Sequence, residues 1–132
     1  MGITVGSGEF RYELVESWPK MPKYWEFGGA SDVAVNSIDE IHVFSRGDHP
    51  LTIWDTDGNF VSSWGEGSFS DNEHGIFIAP NDQVWLVDAN YHIVTKHSPL
   101  WRAPDDSGQQ AHSITYVHRK AVQYANWTVH RT

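Results

Sequence analysis

The chain has 132 residues, seven of them tryptophan and none cysteine, with a formal net charge of −8. That length is enough for one ordinary domain with its own core, and the missing cysteine excludes a disulfide framework and thiol catalysis. The acidic balance argues against nucleic acid or an anionic membrane as partner, and no stretch approaches the roughly 20 apolar residues of a membrane span.

Aromatic residues make up 14% of the chain. With frequent Gly and Pro punctuation and few helix-forming runs, that composition predicts an all-β fold. The start, Met1 to Ser7, lacks the basic patch and apolar run of a secretory signal, so a cytoplasmic location is the default expectation. Phe10, Tyr12 and Leu14 then alternate, and Trp18-Pro19 follows. Leu14 to Trp18 has the spacing of Phe60 to Trp64 further on, so residues 1–28 read as an isolated outermost strand and a linker.

From Val33 onward the chain repeats itself at a distance of 43 residues. Val35-Asn36-Ser37-Ile38-Asp39-Glu40-Ile41-His42-Val43-Phe44 lies over Ile78-Ala79-Pro80-Asn81-Asp82-Gln83-Val84-Trp85-Leu86-Val87, and the register runs from Val33 over Ile76 to Trp54 over His97 without a gap. Within one unit, Val33 and Val35 mark an inner strand and Ser37 to Glu40 a polar turn. Ile41, Val43 and Phe44 mark a second strand; Leu51, Ile53 and Trp54 mark a third. Asp57-Gly58 is a hairpin signal, since glycine tolerates the positive φ such turns require. Phe60 to Trp64 is the outermost strand, ended by Gly65. Four short antiparallel strands in about 43 residues describe one blade of a β-propeller. Sandwich strands do not repeat in sequence at a fixed register. The expected organisation is a first blade over residues 29–71 and an incomplete second blade over 72–99.

The tail, residues 100–132, leaves the pattern. The register calls for another hairpin at positions 100 and 101, where the chain has Leu100-Trp101, and for a closing glycine at 108 after a strand, where Arg102 to Gln110 is polar and patternless. Tryptophan has the single codon TGG, so reading one base later turns the codons of Trp101 and Trp127 into glycine codons. In that frame the hairpin glycine, an apolar strand and a closing glycine all return in register. The tail is therefore expected to be an out-of-frame, irregular segment, and the chain to be the opening portion of a longer propeller.

Val33-Ala34-Val35-Asn36, Val43-Phe44-Ser45-Arg46, Trp64-Gly65 and His74-Gly75-Ile76 resemble NHL repeats. More narrowly, residues 10–99 resemble the peptidyl-α-hydroxyglycine α-amidating lyases (peptidylamidoglycolate lyases). The resemblance implies a six-bladed propeller that cleaves a peptidyl-α-hydroxyglycine to a peptide amide and glyoxylate, with catalytic zinc and structural calcium. It implies that Arg46 is the catalytic arginine, suited to stabilising developing oxygen charge. It makes His74 one of three zinc histidines. Val33 and Ile76 match backbone-carbonyl ligands of calcium, the donors a hard cation prefers. The other two zinc histidines and the catalytic tyrosine of that family lie on later blades. The expectation is thus a chain that is inactive and metal-free by itself. Uncovered blade faces would make it self-associate.

Plainer roles compete at each residue. His74 also suits a polar position on a channel-lining strand, and Arg46 a structural ion pair with Asp48 or Asp88. His49 and His92, 43 residues apart, suggest a shared turn or packing role, and Asp88 a capping role. Trp54, Trp64 and Trp85 fit inter-blade packing. A non-catalytic NHL scaffold that binds a protein or small ligand is the alternative function. A sugar-lactone hydrolase-like propeller ranks below both, because His74 stands where that class uses carboxylates. Arg46-Gly47-Asp48 reads as a turn rather than an adhesion motif. Asn126-Trp127-Thr128, His112, His118 and His130 fall in the tail and carry no weight.

Overall fold

The repeat seen in sequence is a repeat in backbone geometry. A computed structural model of the chain describes residues 2–98 and Thr115–Val117, all of it strand, turn and loop with no helix. The strands are β1 (Thr4–Ser7), β2 (Phe10–Glu13), β3 (Ala30–Val35), β4 (Ile41–Ser45), β5 (Leu51–Trp54), β6 (Phe60–Trp64), β7 (Glu73–Ile78), β8 (Val84–Asp88), β9 (Ile93–His97) and β10 (Thr115–Val117). They form a β1-β2 hairpin, a four-stranded antiparallel sheet β3-β4-β5-β6, and a second one ordered β7-β8-β9-β10.

The bounds of β7 and β8 are those of β3 and β4 moved on by 43 residues. Smaller features move with them. A β-bulge falls between Ala30 and Asp32 in β3, and another between Glu73 and Gly75 in β7. The turn after each inner strand carries an aspartate at positive φ, Asp39 (62°) and Asp82 (61°). Each turn is also closed by matching bonds, Asn36 N–H to Glu40 O and Ala79 N–H to Gln83 O. Aspartate is among the few side chains that enter the left-handed region at small cost.

The two sheets pack face to face. Phe44, Leu51, Ile53 and Trp64 from the first meet Ile76, Val84 and Leu86 from the second in one buried cluster. Burying each such side chain contributes about 1.5–3 kcal/mol. At the outer end the Trp64 ring lies 4.5 Å from the ring of His97, centroid to centroid.

On the other face of the first sheet, the outer half is covered by the segment between β2 and β3. Trp18 and Phe27 pack on Trp54 at 6.4 and 5.9 Å, and Trp25 meets the edge of Phe60 and stacks on His49. Gly58 holds φ at 77° in the β5-β6 turn, and a Cβ there would stand 2.7 Å from the Trp18 ring. The inner half of that face is open, with Val33 56% exposed.

Two expectations are corrected. The N-terminal strand is not isolated: β2 pairs with β1 from Thr4↔Glu13 to Ser7↔Phe10, because Gly8, at φ 60°, starts a two-residue turn that gives it a local partner. The tail is not wholly irregular. Thr115-Tyr116-Val117, β-branched and aromatic, completes the second sheet by pairing with Lys96, Thr95 and Val94. Of the three tryptophans assigned to packing between repeats, Trp64 lies between the two sheets, and the other two lie on the faces turned away from that contact. Trp54 is buried under the N-terminal aromatics, and Trp85 sits on the outward face of the second sheet beneath Lys96. The frame argument at Trp101 and Trp127, and the irregularity of Arg102 to Gln110, lie outside the described residues.

Candidate functional site

One end of the sheet pair gathers the polar groups. There β3 and β7 begin, β4 and β8 end, and both bulges sit. A bulge leaves one residue unpaired and re-aims its side chain. In β3 that residue is Ser31, whose hydroxyl donates to Phe44 O at 3.0 Å; in β7 it is His74, which is exposed to solvent.

Arg46 reaches the same place from the end of β4. Its N–H donates to Gly29 O at 3.0 Å, and its Nε–H crosses to the second sheet to donate to Glu73 O at 3.1 Å. The structure therefore brings Arg46 alongside the Glu73-His74 dipeptide. Gly28 makes room for this loop, since a Cβ on it would meet Arg46 O at 2.2 Å. Neither Asp48 nor Asp88 forms an ion pair with Arg46; its Nε–H meets a backbone carbonyl, which removes the alternative of a structural ion pair with either carboxylate.

Two carboxylates lie beneath. Asp88 is fully buried and accepts from Ser70 N–H (2.7 Å), the Ser70 hydroxyl (2.5 Å) and Tyr91 N–H (2.9 Å), so it caps two turns. Its cross-strand neighbour Glu73 is 1% exposed, and its Oε2 has no hydrogen-bond partner among the described residues. Burial raises the Glu73 pKa above the usual carboxylate value, and the negative charges of Asp88 and Asp71 add to the rise while Arg46 opposes it.

Val33 and Ile76 occupy matching places one step inward. Asn36 and Glu40 form a hydrogen-bonded pair, and such pairs alternate along an antiparallel ladder, so Val33 opposite Val43 is a non-hydrogen-bonded position. The Ala79–Gln83 pair makes Ile76 opposite Leu86 the same. The N–H and C=O groups of both residues thus point to the free inner edges of their strands. Asp32 uses this arrangement: Oδ1 accepts Val33 N–H at 2.9 Å and Oδ2 accepts Ile76 N–H across the sheets at 3.0 Å.

The metals implied by the resemblance are only partly provided for. Two inward-edge carbonyls are donors a hard cation takes, but calcium needs six to eight oxygens. Among the described residues no three His, Cys, Asp or Glu side chains converge as a metal group. His74 by itself does not make a zinc site.

The remaining candidates divide. His49 stacks on Trp25 and meets Glu66 Oε1 at 3.1 Å, whereas His92 takes a left-handed turn conformation, so their 43-residue relation does not carry a common role. Sequence reasoning passed over Asp32, Glu73 and His42. His42 is buried at the sheet interface, neither ring nitrogen has a hydrogen-bond partner among the described residues, and burial lowers its pKa.

Fold and site define an all-β protein built from repeated four-stranded antiparallel sheets, with an arginine and a histidine at one end of the sheet pair. The chain matches no protein family, no curated protein and no solved structure. No helix among the described residues is long and apolar enough to cross a membrane.

Proposed function

We propose that the chain is part of an NHL-type β-propeller of six blades, related to the peptidyl-α-hydroxyglycine α-amidating lyases, and that it is catalytically silent by itself. The observation that carries this reading is the contact of Arg46 with Glu73 O, next to the exposed His74. It gathers the two side chains that the resemblance assigns to catalysis and metal at one end of two repeat-related sheets. In that reading the guanidinium of Arg46 keeps its remaining N–H donors for oxygen charge that develops on a bound peptidyl-α-hydroxyglycine. The inner-edge carbonyls of Val33 and Ile76 supply part of a calcium set, and the rest of both metal sites comes from further repeats.

A second reading, an NHL scaffold that binds a protein or small ligand without chemistry, is favoured by the same bond seen differently. The Nε–H of Arg46 is spent on tying the sheets together, as a structural arginine would be.

The coding DNA beyond codon 100, read one base later, separates these. The lyase reading expects further 43-residue repeats with two more histidines at inner-strand starts and a channel tyrosine. Repeats without those residues favour the scaffold. Early stop codons or non-repetitive sequence in that frame overturn the propeller reading.

A further inference from the structure

The packing of the two sheets has a direction. The first sheet offers the face bearing Asp32, Ala34, His42, Phe44, Leu51 and Ile53; the second receives it with Ile76, Ile78, Val84 and Leu86. Moved by 43 residues, each set reappears on the opposite, outward side of the other sheet. The second sheet's outward face carries Gly75, Phe77, Trp85, Val87, Val94 and Lys96, the equivalents of the offering set. The first sheet's outward face carries Val33, Val35, Ile41 and Val43, the equivalents of the receiving set. One chain therefore presents both halves of the interface it already contains. Both halves are open at their inner ends: Phe77 is 61% exposed and Val33 56%.

The offering half on the second sheet differs from the one it copies: Lys96, over the Trp85 ring, stands where the first sheet has the buried Ile53, so the apolar part of this half lies on the inner strands. Polar contacts among the described residues tie the existing pair, among them Asp32 to Ile76 N–H, Arg46 to Glu73 O, and Ser37, by N–H and hydroxyl, to Asp82. Their equivalents are Gly75, Ala89 and Pro80, none of which can make the contact, while Phe77 replaces Ala34 and Trp85 replaces His42.

We propose that the chain associates head to tail with a second copy of itself, the Phe77–Trp85 face of one copy seating on the Val33–Val35 strip of the next. The N-terminal aromatics cover the outer half of that second face, so the contact is confined to the inner strands. Such a heterologous contact grows into a ring or an open chain of copies, unlike a self-complementary dimer. The inference rests on the packing of the two sheets and is independent of the lyase reading.

Analytical ultracentrifugation of the full chain, with the variants Val33→Lys and Phe77→Lys, tests it. The parent chain is expected to associate with rising concentration beyond a dimer, and each variant alone to remain a monomer. An equimolar mixture of the two is expected to form a 1:1 dimer and nothing larger, because each variant keeps the face the other has lost. Dimer formation in the mixture also reports that both variants fold, and Val35→Lys in place of Val33→Lys repeats the test should one fail to fold. A parent chain that stays monomeric at about 100 μM, association of either variant by itself, or aggregation indifferent to all three substitutions overturns the proposal. A monomeric parent leaves the face to a further repeat unit.

Discussion

Asp32 and Ile76 are 44 residues apart, on different sheets, and joined by a 3.0 Å hydrogen bond from the Ile76 amide to the Asp32 carboxylate. The same carboxylate holds the Val33 amide. The two inner strands are thus fixed to each other where their own ladders leave amides unpaired. Asp32→Ala leaves the Ile76 N–H without its acceptor, and a lost buried partner costs about 1–3 kcal/mol. Urea unfolding should show that loss, and hydrogen exchange should show the Ile76 amide protected in the parent chain and fast in the variant.

His42 gives the interface an acid-sensitive point. Burial holds its pKa below the ordinary 6.5, although Glu40 and Asp82 pull it upward. The unfolded chain therefore binds the proton more readily than the folded one. His42 costs no stability above about pH 6.5, and stability is lost as pH falls below it. His42→Phe should flatten the difference in urea midpoint between pH 7.5 and pH 5 relative to the parent; an unchanged pH dependence would show that His42 is solvated.

Glu73 works in the opposite sense. Its raised pKa means that the unfolded chain loses the proton first as pH rises, so stability is full below about pH 4.5 and declines through the folded pKa. Glu73→Gln keeps the shape without the charge. It should unfold at higher urea than the parent near neutral pH, with the gap closing towards pH 4.

Much of this was legible in the chain itself. The 43-residue register placed seven strands because each unit repeats the same alternation of apolar and polar residues between the same turns. It failed where the physics is not periodic. β1 was missed because Thr4 to Ser7 holds a single apolar residue, Val5, beside Gly6, and so shows no apolar alternation of its own. β10 was missed because Thr115-Tyr116-Val117 pairs an open edge far from its place in the register. At the site, Arg46 and His74 stood out by resemblance. Asp32 and His42 did not, since their value lies in departing from the repeat: the second unit has Gly75 and Trp85 at those places. Comparing the units for their differences would have found both.

The buried cluster and the open faces should answer truncation very differently. Leu51 is fully buried between the sheets, and Leu51→Ala should cost about 2–5 kcal/mol. Val33→Ala, on the open strip, should stay within roughly 0.5 kcal/mol in the monomer. Paired urea titrations at low protein concentration check the contrast.

The two 43-residue units pack on each other with Trp64 of the first against His97 of the second, ring centroids 4.5 Å apart. A nuclear Overhauser spectrum of the full chain measures that contact directly. Strong cross-peaks between the Trp64 indole and the His97 ring protons are expected. Their absence, with both strand ladders intact, would mean that the sheets fold without packing in register and would contradict the account.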